Sequence, residues 1–481
     1  MDWTVWFDAH DYEVARQVLQ RGIGALAVVA FWSTLNQFRP LLGEHGLLPV
    51  PELLRRASWL RGPSLFRWGY TDRRLVAVAV AGIALGTSIV LGLPQLGPPW
   101  LPMLVFLALW LLYLSIVNVG QTFYGFGWEM LLCEALFTAA FLGSDQVPPP
   151  VTVIVAVWWL VFRLEFGAGM IKIRGGREWR DLTALMYHHE TQPMPGPLSR
   201  QAHLLPPWFH RGEVLGNHFA QLVVPFLLFV PGWVGAAAAV VVIVTQLWLI
   251  VTGNFAWLNW ITVVLAASAV PDSVWHAIIP AIPQSLGTDA TASPLWWMPI
   301  VLVASALLLV LSWWPLRNLL AHRQLMNAAF NRWMLVNAYG AFGTVTKRRI
   351  EIVVEGTLDE VPDEDAAWRE YGFKGKPGDV RALPRQWAPY HLRLDWLMWF
   401  LPLGRLWEPW FEVLLERLLA ADAPTLALLA HDPFDGVPPR WLRVRAYHYR
   451  FATRREFLAT RERWVRTLEG EVMPPATSGL E

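Results

Sequence analysis

Charge is what this sequence has least of. Only 16% of its 481 residues are Asp, Glu, Lys or Arg, against 55% hydrophobic. A soluble domain carries about a quarter charged residues, and the deficit falls in the first two thirds of the chain. Cysteine is nearly absent as well. Cys133 stands alone inside an apolar run, which excludes a disulfide within the chain and thiol-pair redox chemistry. Net charge is +1, so no nucleic-acid partner is indicated. The N-terminal "MDWTVWFDAHDYEVARQ" is acidic and aromatic and lacks the basic start and small-residue cleavage site of a signal peptide. No GxSxG, Walker loop or GxGxxG occurs, which removes the usual sequence support for hydrolase, nucleotide or dinucleotide chemistry.

What is present is apolar sequence in long runs, with a mean hydropathy of +0.35 and 30 tryptophans. Tryptophan favours the membrane–water interface. A bilayer core of ~30 Å needs about 20 apolar helical residues. Candidate spans lie at 17–37, 75–93, 101–118, 125–142, 150–171, 213–231, 233–252, 255–270 and 297–316. The short connections "VPGWVG" and "TGNFAW" blur the bounds within 213–252 and at 255–270, so the count is nine, or eight. The expected fold is an α-helical polytopic membrane protein with a C-terminal soluble, strand-rich α+β domain. Its parts are a multi-span domain at 1–325 with a basic loop at 172–213, a soluble domain at 326–470, and a disordered tail at 471–481. In the soluble part "RRIEIVVEGT" (348–357) and "WLRVRAYHYRF" (441–451) alternate with period two, which predicts half-buried strands. "WFEVLLERLLAA" (410–421) reads as an amphipathic helix.

Lysine and arginine are unevenly shared. The loop 38–74 holds seven arginines, and 172–213 holds Lys172, Arg174, Arg177, Arg180, Arg200 and Arg211. The alternate loops hold none. Taken alone, this places the basic loops and the C-terminal region in the cytoplasm.

Ionisable groups at membrane depth cost ~3 kcal/mol on insertion scales, so each is a candidate for function. Glu129 and Glu134, five residues apart, point to different sides of one helix. Arg163 reads as half of a structural ion pair. Glu165, Gly169 and Lys172 share a helix face, and Gly167 and Gly169 permit close approach of another helix. Asn217 and Gln221 share a face with His218 beside it. Each of these polar groups also has a plain reading, as an interhelical hydrogen-bond partner or, for Lys172, as a cation reaching for the interface.

The stretch "KIRGGREWRDLTALMYHHETQPMP" (172–195) concentrates titratable groups where a span ends. Such density favours a site; the alternative is an ion-pair network that locks loop to domain. His188 and His189 invite a metal reading. Adjacent helical side chains diverge by about 100°, and no other histidine or cysteine lies at ligand spacing nearby, so no metal is expected and only His188 is kept as a polar partner.

The wording of these segments is itself informative. "FGAGMIKIRGGREWRDLTALMYHHETQPMPGP" (166–197), "SIVNVGQTFYGFGWEMLLCEALFTAAFL" (115–142), "NHFAQLVVPFLLF" (217–229), "VTGNFAWLNWITVV" (251–264), "WMLVNAYGAFGTVTKRRIEIVVEGT" (333–357), "EYGFKGKPGDV" (370–380) and "PYHLRLDWLMWF" (389–400) resemble, in order, the lipase maturation factor family. The resemblance runs from about residue 20 to 455. It implies a multi-pass membrane protein of the endoplasmic reticulum in animals, with its C-terminal domain in the lumen, that assists folding and assembly of secreted lipases. That orientation is opposite to the charge count. Few lysines among many arginines and alanines point to a GC-rich, bacterial source, hence a plasma membrane. The multi-span part is also distantly similar to the transmembrane domain of vitamin K-dependent γ-carboxylase. That likeness implies Lys172 as a base or anion anchor, with a bound quinone or lipid.

Two functions follow as expectations. One is a non-catalytic maturation factor whose aromatic residues Trp387, Trp396 and Trp399 hold a client such as a secreted lipase. The other is a membrane enzyme acting on a quinol or lipid, which leaves enzyme status open. Its chemistry would fall to Lys172, Arg174, Trp179, Asp181, His188 and Glu190. Binding would fall to Glu129, Glu134, Glu165, Gln192, Asn217, His218, Gln221, Asn337 and Tyr339. Beyond membrane lipids and a client, no partner or resident cofactor is indicated.

Overall fold

The computed structural model describes residues 6–56, 62–281 and 292–477. Arg61 and the last four residues of the expected tail lie outside them. Six described helices are long and apolar enough to cross a membrane: α1 (Glu13–Leu42), α2 (Asp72–Val90), α3 (Trp100–Val117), α5 (Val151–Arg174), α8 (Trp233–Thr252) and α11 (Trp297–Leu320). Between them lie α4 (Gly127–Ala139), α6 (Leu185–Thr191), α7 (Pro207–Leu222), α9 (Leu258–Ala267) and α10 (Asp272–Ile278). If α9 and α10, bent by 100°, act as one broken span, the count is seven.

The polytopic architecture is as expected, but three of the nine candidate spans are not continuous crossings. The stretch 125–142 yields α4, only 13 residues, or ~20 Å. Every residue of α4 is buried, so its apolarity marks a core helix. The stretch 213–231 starts inside α7 and breaks at Val223, ahead of Pro225 in the short helix Val224–Leu227. The stretch 255–270 holds α9, ten residues long. Hydropathy counts apolar residues; it does not separate those facing lipid from those facing protein.

Local chemistry explains how the bundle closes. The first amides of α1, Glu13 and Val14, donate to the Asp272 carboxylate at 2.8 and 3.0 Å. An N-terminal helix is thus capped by a residue at the start of α10. Arg16 of α1 is fully buried and donates to the Val147 carbonyl, satisfying a loop that has no helix of its own.

The C-terminal part carries one antiparallel sheet, ordered β2 (Arg369–Glu370), β1 (Arg349–Thr357), β3 (Trp441–Phe451), β4 (Trp464–Ala476). β1 and β3 pair in register from Arg349↔Tyr449 to Thr357↔Trp441. Both expected strands are there, and the expected helix is α13 (Pro409–Leu419). It follows α12 (Arg393–Met398). Two corrections arise. β4 runs to Ala476, so a disordered tail from 471 is overturned; Pro474 and Pro475 sit on an edge strand, where a missing N–H costs no ladder bond. β1 is buried at every residue except the partly exposed Ile350. The charged positions of its alternation do not face water because each has a partner inside: Arg349 meets Glu351 at 2.6 Å, and Glu355 meets Arg443 at 2.6 Å.

The two parts are joined through buried charge. Arg393 of α12 reaches the multi-span part, where its Nη1 donates to Glu129 at 2.6 Å and to the Phe123 carbonyl at 2.8 Å. Its guanidinium lies 3.4 Å from the Tyr124 ring centre. On the other side of α4, Glu134 pairs with Arg163 of α5 and accepts from Tyr339 Oη at 2.7 Å and from the Asn337 amide at 3.0 Å. The divergence of Glu129 and Glu134 and the structural pairing of Arg163 are as read from spacing.

Removing one partner of a buried pair strands the other charge, at ~3–5 kcal/mol. Glu134→Ala is expected to lower stability by that amount in thermal unfolding of the detergent-solubilised protein. Asp181→Ala removes an exposed pair with Arg177, and its effect is expected to stay below ~1 kcal/mol.

Candidate functional site

A cavity of about 1350 Å³ opens between α5, α7, α8 and α9 on one side and residues 322–344 and 396–403 on the other. Its walls are mainly apolar, with Phe126, Trp128, Phe255, Trp396 and Phe400 among them. One polar wall runs down α5. Glu165 accepts from Gln221 Nε2 at 3.1 Å and from Gln246 Nε2 at 2.7 Å. Gln246 in turn accepts from Asn259 Nδ2 at 2.6 Å. About two turns on, Lys172 Nζ donates to Asn217 Oδ1 at 2.9 Å and to Gln221 Oε1 at 2.8 Å. The same ammonium sits 4.7 Å from the centre of the Trp179 ring, at cation–π range. Gln221 therefore bridges an acid and a base that share one helix face. Gly169 lets α7 come this near: a Cβ there would stand 2.7 Å from Leu222 Cδ2 and 3.0 Å from Gln221 Cβ.

Several expected site residues meet here. Lys172, Arg174, Trp179, His188, Glu165, Asn217, Gln221 and Tyr339 all line the cavity. His218 stands behind it, with Nε2 3.1 Å from the Trp179 carbonyl. Within this group Arg174 has a holding role, donating to the Leu319 and Ala321 carbonyls at the end of α11 at 2.9 and 3.1 Å. Trp179 is held by its indole N–H on the Phe342 carbonyl at 2.7 Å. His188 is packed against Phe342 and Phe255, ring centres 4.8 and 6.1 Å away. Burial, helped by His189 and Lys172, pushes its imidazole down to about 3, so it is a neutral aromatic wall.

The remaining expected residues lie elsewhere. Asp181 is half-exposed on the far side of the loop, paired with Arg177 at 2.8 Å. Glu190 accepts from the Phe451 amide at 2.7 Å and faces the sheet. Gln192 donates to the Thr252 carbonyl at 2.7 Å and to Ser199 at 3.1 Å. Glu129, Glu134 and Asn337 belong to the two buried networks. In each case the bonds these residues make hold the fold together, and tertiary contacts decide that. Of the aromatics expected to hold a client, Trp396 and Trp399 line the cavity, with Trp396 buried against Trp128 at 4.8 Å between ring centres, while Trp387 lies outside it, partly buried.

The basic loop is locked to the C-terminal part from both sides: its own Arg200 donates to the Ala452 and Thr453 carbonyls at 2.8 and 3.1 Å. Arg349 of β1 donates to the backbone carbonyls of Glu190, Gln192 and Pro193, closing the C-terminal end of α6. Trp399 Nε1 donates to the Thr191 carbonyl at 2.9 Å. Gly175 packs so tightly on the Gly343 carbonyl that any Cβ would overlap it, which joins "RGG" to "NAYGAFG".

Sequence reasoning missed Gln246, Asn259 and Glu213. The first two sit on spans read as plain apolar helix; a single amide in such a run was the available signal. Glu213 lines the cavity and meets His189 Nε2 at 3.2 Å and His210 Nδ1 at 3.3 Å. The ground for discounting a metal, that no other histidine lies nearby, therefore fails: folding brings His210 to His189 from 21 residues away in sequence.

His188 yields a pH prediction. An imidazole held below its unfolded value adds stability above about pH 6.5, and that stability is lost as pH falls towards 3, by up to about 1.4 kcal/mol per unit. His188→Phe keeps the ring packing and is expected to flatten the acid limb of melting temperature against pH between 6.5 and 4. An unchanged limb would show that His188 is not its source.

Comparison with known proteins places relatives along both parts of the chain. The lipase maturation factor transmembrane domain matches residues 14–277, and the lipase maturation factor C-terminal domain matches residues 335–474. Human Lipase maturation factor 1 is 38% identical over 503 residues, covering 96% of this chain and 88% of its own length. The mouse protein of that name is 37% identical over 505 residues, covering 96% and 87%. Lipase maturation factor 2 of Xenopus tropicalis is 27% identical over 575 residues, covering 92% and 79%. These relatives are animal proteins and give no support to the bacterial source read from composition. No solved structure matches the chain. With both parts matched in order and nearly full length, the chain belongs to the lipase maturation factor family.

Proposed function

We propose that this chain is a multi-pass membrane factor for the maturation of secreted lipases. The observation that carries the reading is the coverage: 96% of this chain aligns with 88% of human Lipase maturation factor 1, across the spans and the C-terminal domain together. A secreted client requires the C-terminal domain on the extracytoplasmic side, so the family orientation is preferred over the charge count. The arginine-rich loops then reflect their structural bonds, such as Arg174 on the α11 carbonyls, more than topology. On composition the membrane is a bacterial plasma membrane. The cavity supports a bound amphiphile, a membrane lipid or quinone. Its volume exceeds that of a usual drug-sized pocket, its walls are apolar, and Lys172 supplies one cation for a polar head.

One observation favours a second reading, a membrane enzyme acting on a quinol or lipid. Lys172 is buried, faces the cavity, and shares its wall with an acid, Glu165. In that reading Lys172 is the base.

Coexpression of a secreted dimeric lipase with this chain separates the readings. The maturation reading expects several-fold more active lipase per unit secreted protein, and unchanged lipase activity overturns it. Lys172→Met, expressed at wild-type level, is expected to keep lipase maturation if the protein acts as a scaffold. Loss of maturation together with loss of a quinone or lipid from native mass spectra would instead favour the enzyme.

A further inference from the structure

The cluster at the rim of the cavity has a donor problem that hydrogen bonding between neutral rings does not solve. His210 Nε2 faces the His203 carbonyl at 3.3 Å. A carbonyl only accepts, so Nε2 carries the proton and the other nitrogen of a neutral ring is bare. That bare Nδ1 faces Glu213 Oε2 at 3.3 Å, and a carboxylate also only accepts. Two lone pairs point at each other. Glu213 already takes the Trp248 indole N–H at 2.5 Å and lies 3.2 Å from His189 Nε2. A cation in the middle of this group relieves the conflict.

We propose that His189, His210 and Glu213 hold a divalent transition-metal ion, zinc by its donor set. The three ligand atoms all lie within 4.8 Å of one another. Tetrahedral zinc with bonds of ~2.0–2.1 Å sets ligand atoms about 3.3 Å apart, the separation seen between Glu213 and each ring. Two imidazoles with one carboxylate suit zinc and related ions over calcium or magnesium. His210 and Glu213 lie at i, i+3 on α7 and face the same way; His189 comes from α6. Two of the three ligands carry the supporting bonds a ligand set needs: the His203 carbonyl fixes the His210 tautomer, and Trp248 of α8 orients the carboxylate. Both histidines are buried, while Glu213 and Trp248 line the cavity, which supplies an entry path and leaves the fourth position facing the cavity. A three-ligand site with an open position is the arrangement of zinc that binds a further molecule. The ion also ties the basic loop to α7 and α8.

The test uses tag-free, full-length protein in detergent, stripped with chelator, incubated with zinc and freed of excess. Elemental analysis is expected to find about one zinc per chain, and cobalt(II) to give a visible absorption band. Glu213→Gln keeps a partner for Trp248 and serves as the folded variant. It and His210→Ala are expected to lose roughly tenfold or more in metal affinity and to lose the cobalt band. Wild-type protein that holds no more zinc than a detergent blank overturns the proposal and leaves a doubly protonated His210 to satisfy the contacts. Full zinc occupancy in a monodisperse Glu213→Gln overturns it as well.

Discussion

Helix α4 carries two carboxylates into the interior, and each must meet an arginine. Burying a lone charge is prohibitive, so the pairing is compulsory once the helix is buried. Glu129 draws Arg393 in from the C-terminal part, and Glu134 takes Arg163 from α5 together with Asn337 and Tyr339. The C-terminal chain is thereby fixed to the multi-span bundle at two points on opposite sides of a single helix. Such pairs add little net stability against an apolar alternative. What they confer is position, since an arginine fork accepts a carboxylate in few geometries.

The cavity follows from that clamp. Residues 322–344 and 396–403 form one wall because Asn337 and Arg393 are held at α4; α5, α7, α8 and α9 form the other. The basic loop then closes over the side, with Arg349 on the loop carbonyls and Gly175 against Gly343. Within the space, the chain places an acid and a base on one helix face with Gln221 between them, and a histidine–glutamate group at the rim. Family membership and cavity chemistry are separate facts about the molecule. The first supports a client protein, and the second supports a small ligand as well.

Much of this was legible from residue order. The apolar runs, the strands at 349–357 and 441–451, the face shared by Glu165 and Lys172, and the face shared by Asn217 and Gln221 are periodicities, and periodicity follows from backbone geometry alone. The family wording marked the loop from 172 as a place of interest. The span count was not legible, because a 13-residue helix sealed inside protein and a lipid-facing one show the same hydropathy.

Sequence by itself determined the element types, the membrane class and which side chains share a face, because these depend on neighbours within a few residues. Tertiary structure alone decided which polar residues are free. Glu134 and Asn337 look as available as Lys172 in the sequence, yet their bonds close on each other across more than 200 residues. His189 looked inert beside His188 until folding brought His210 and Glu213 to it. A buried polar group is defined by what satisfies it, and for these residues the partner lies on another element, where local spacing carries no information.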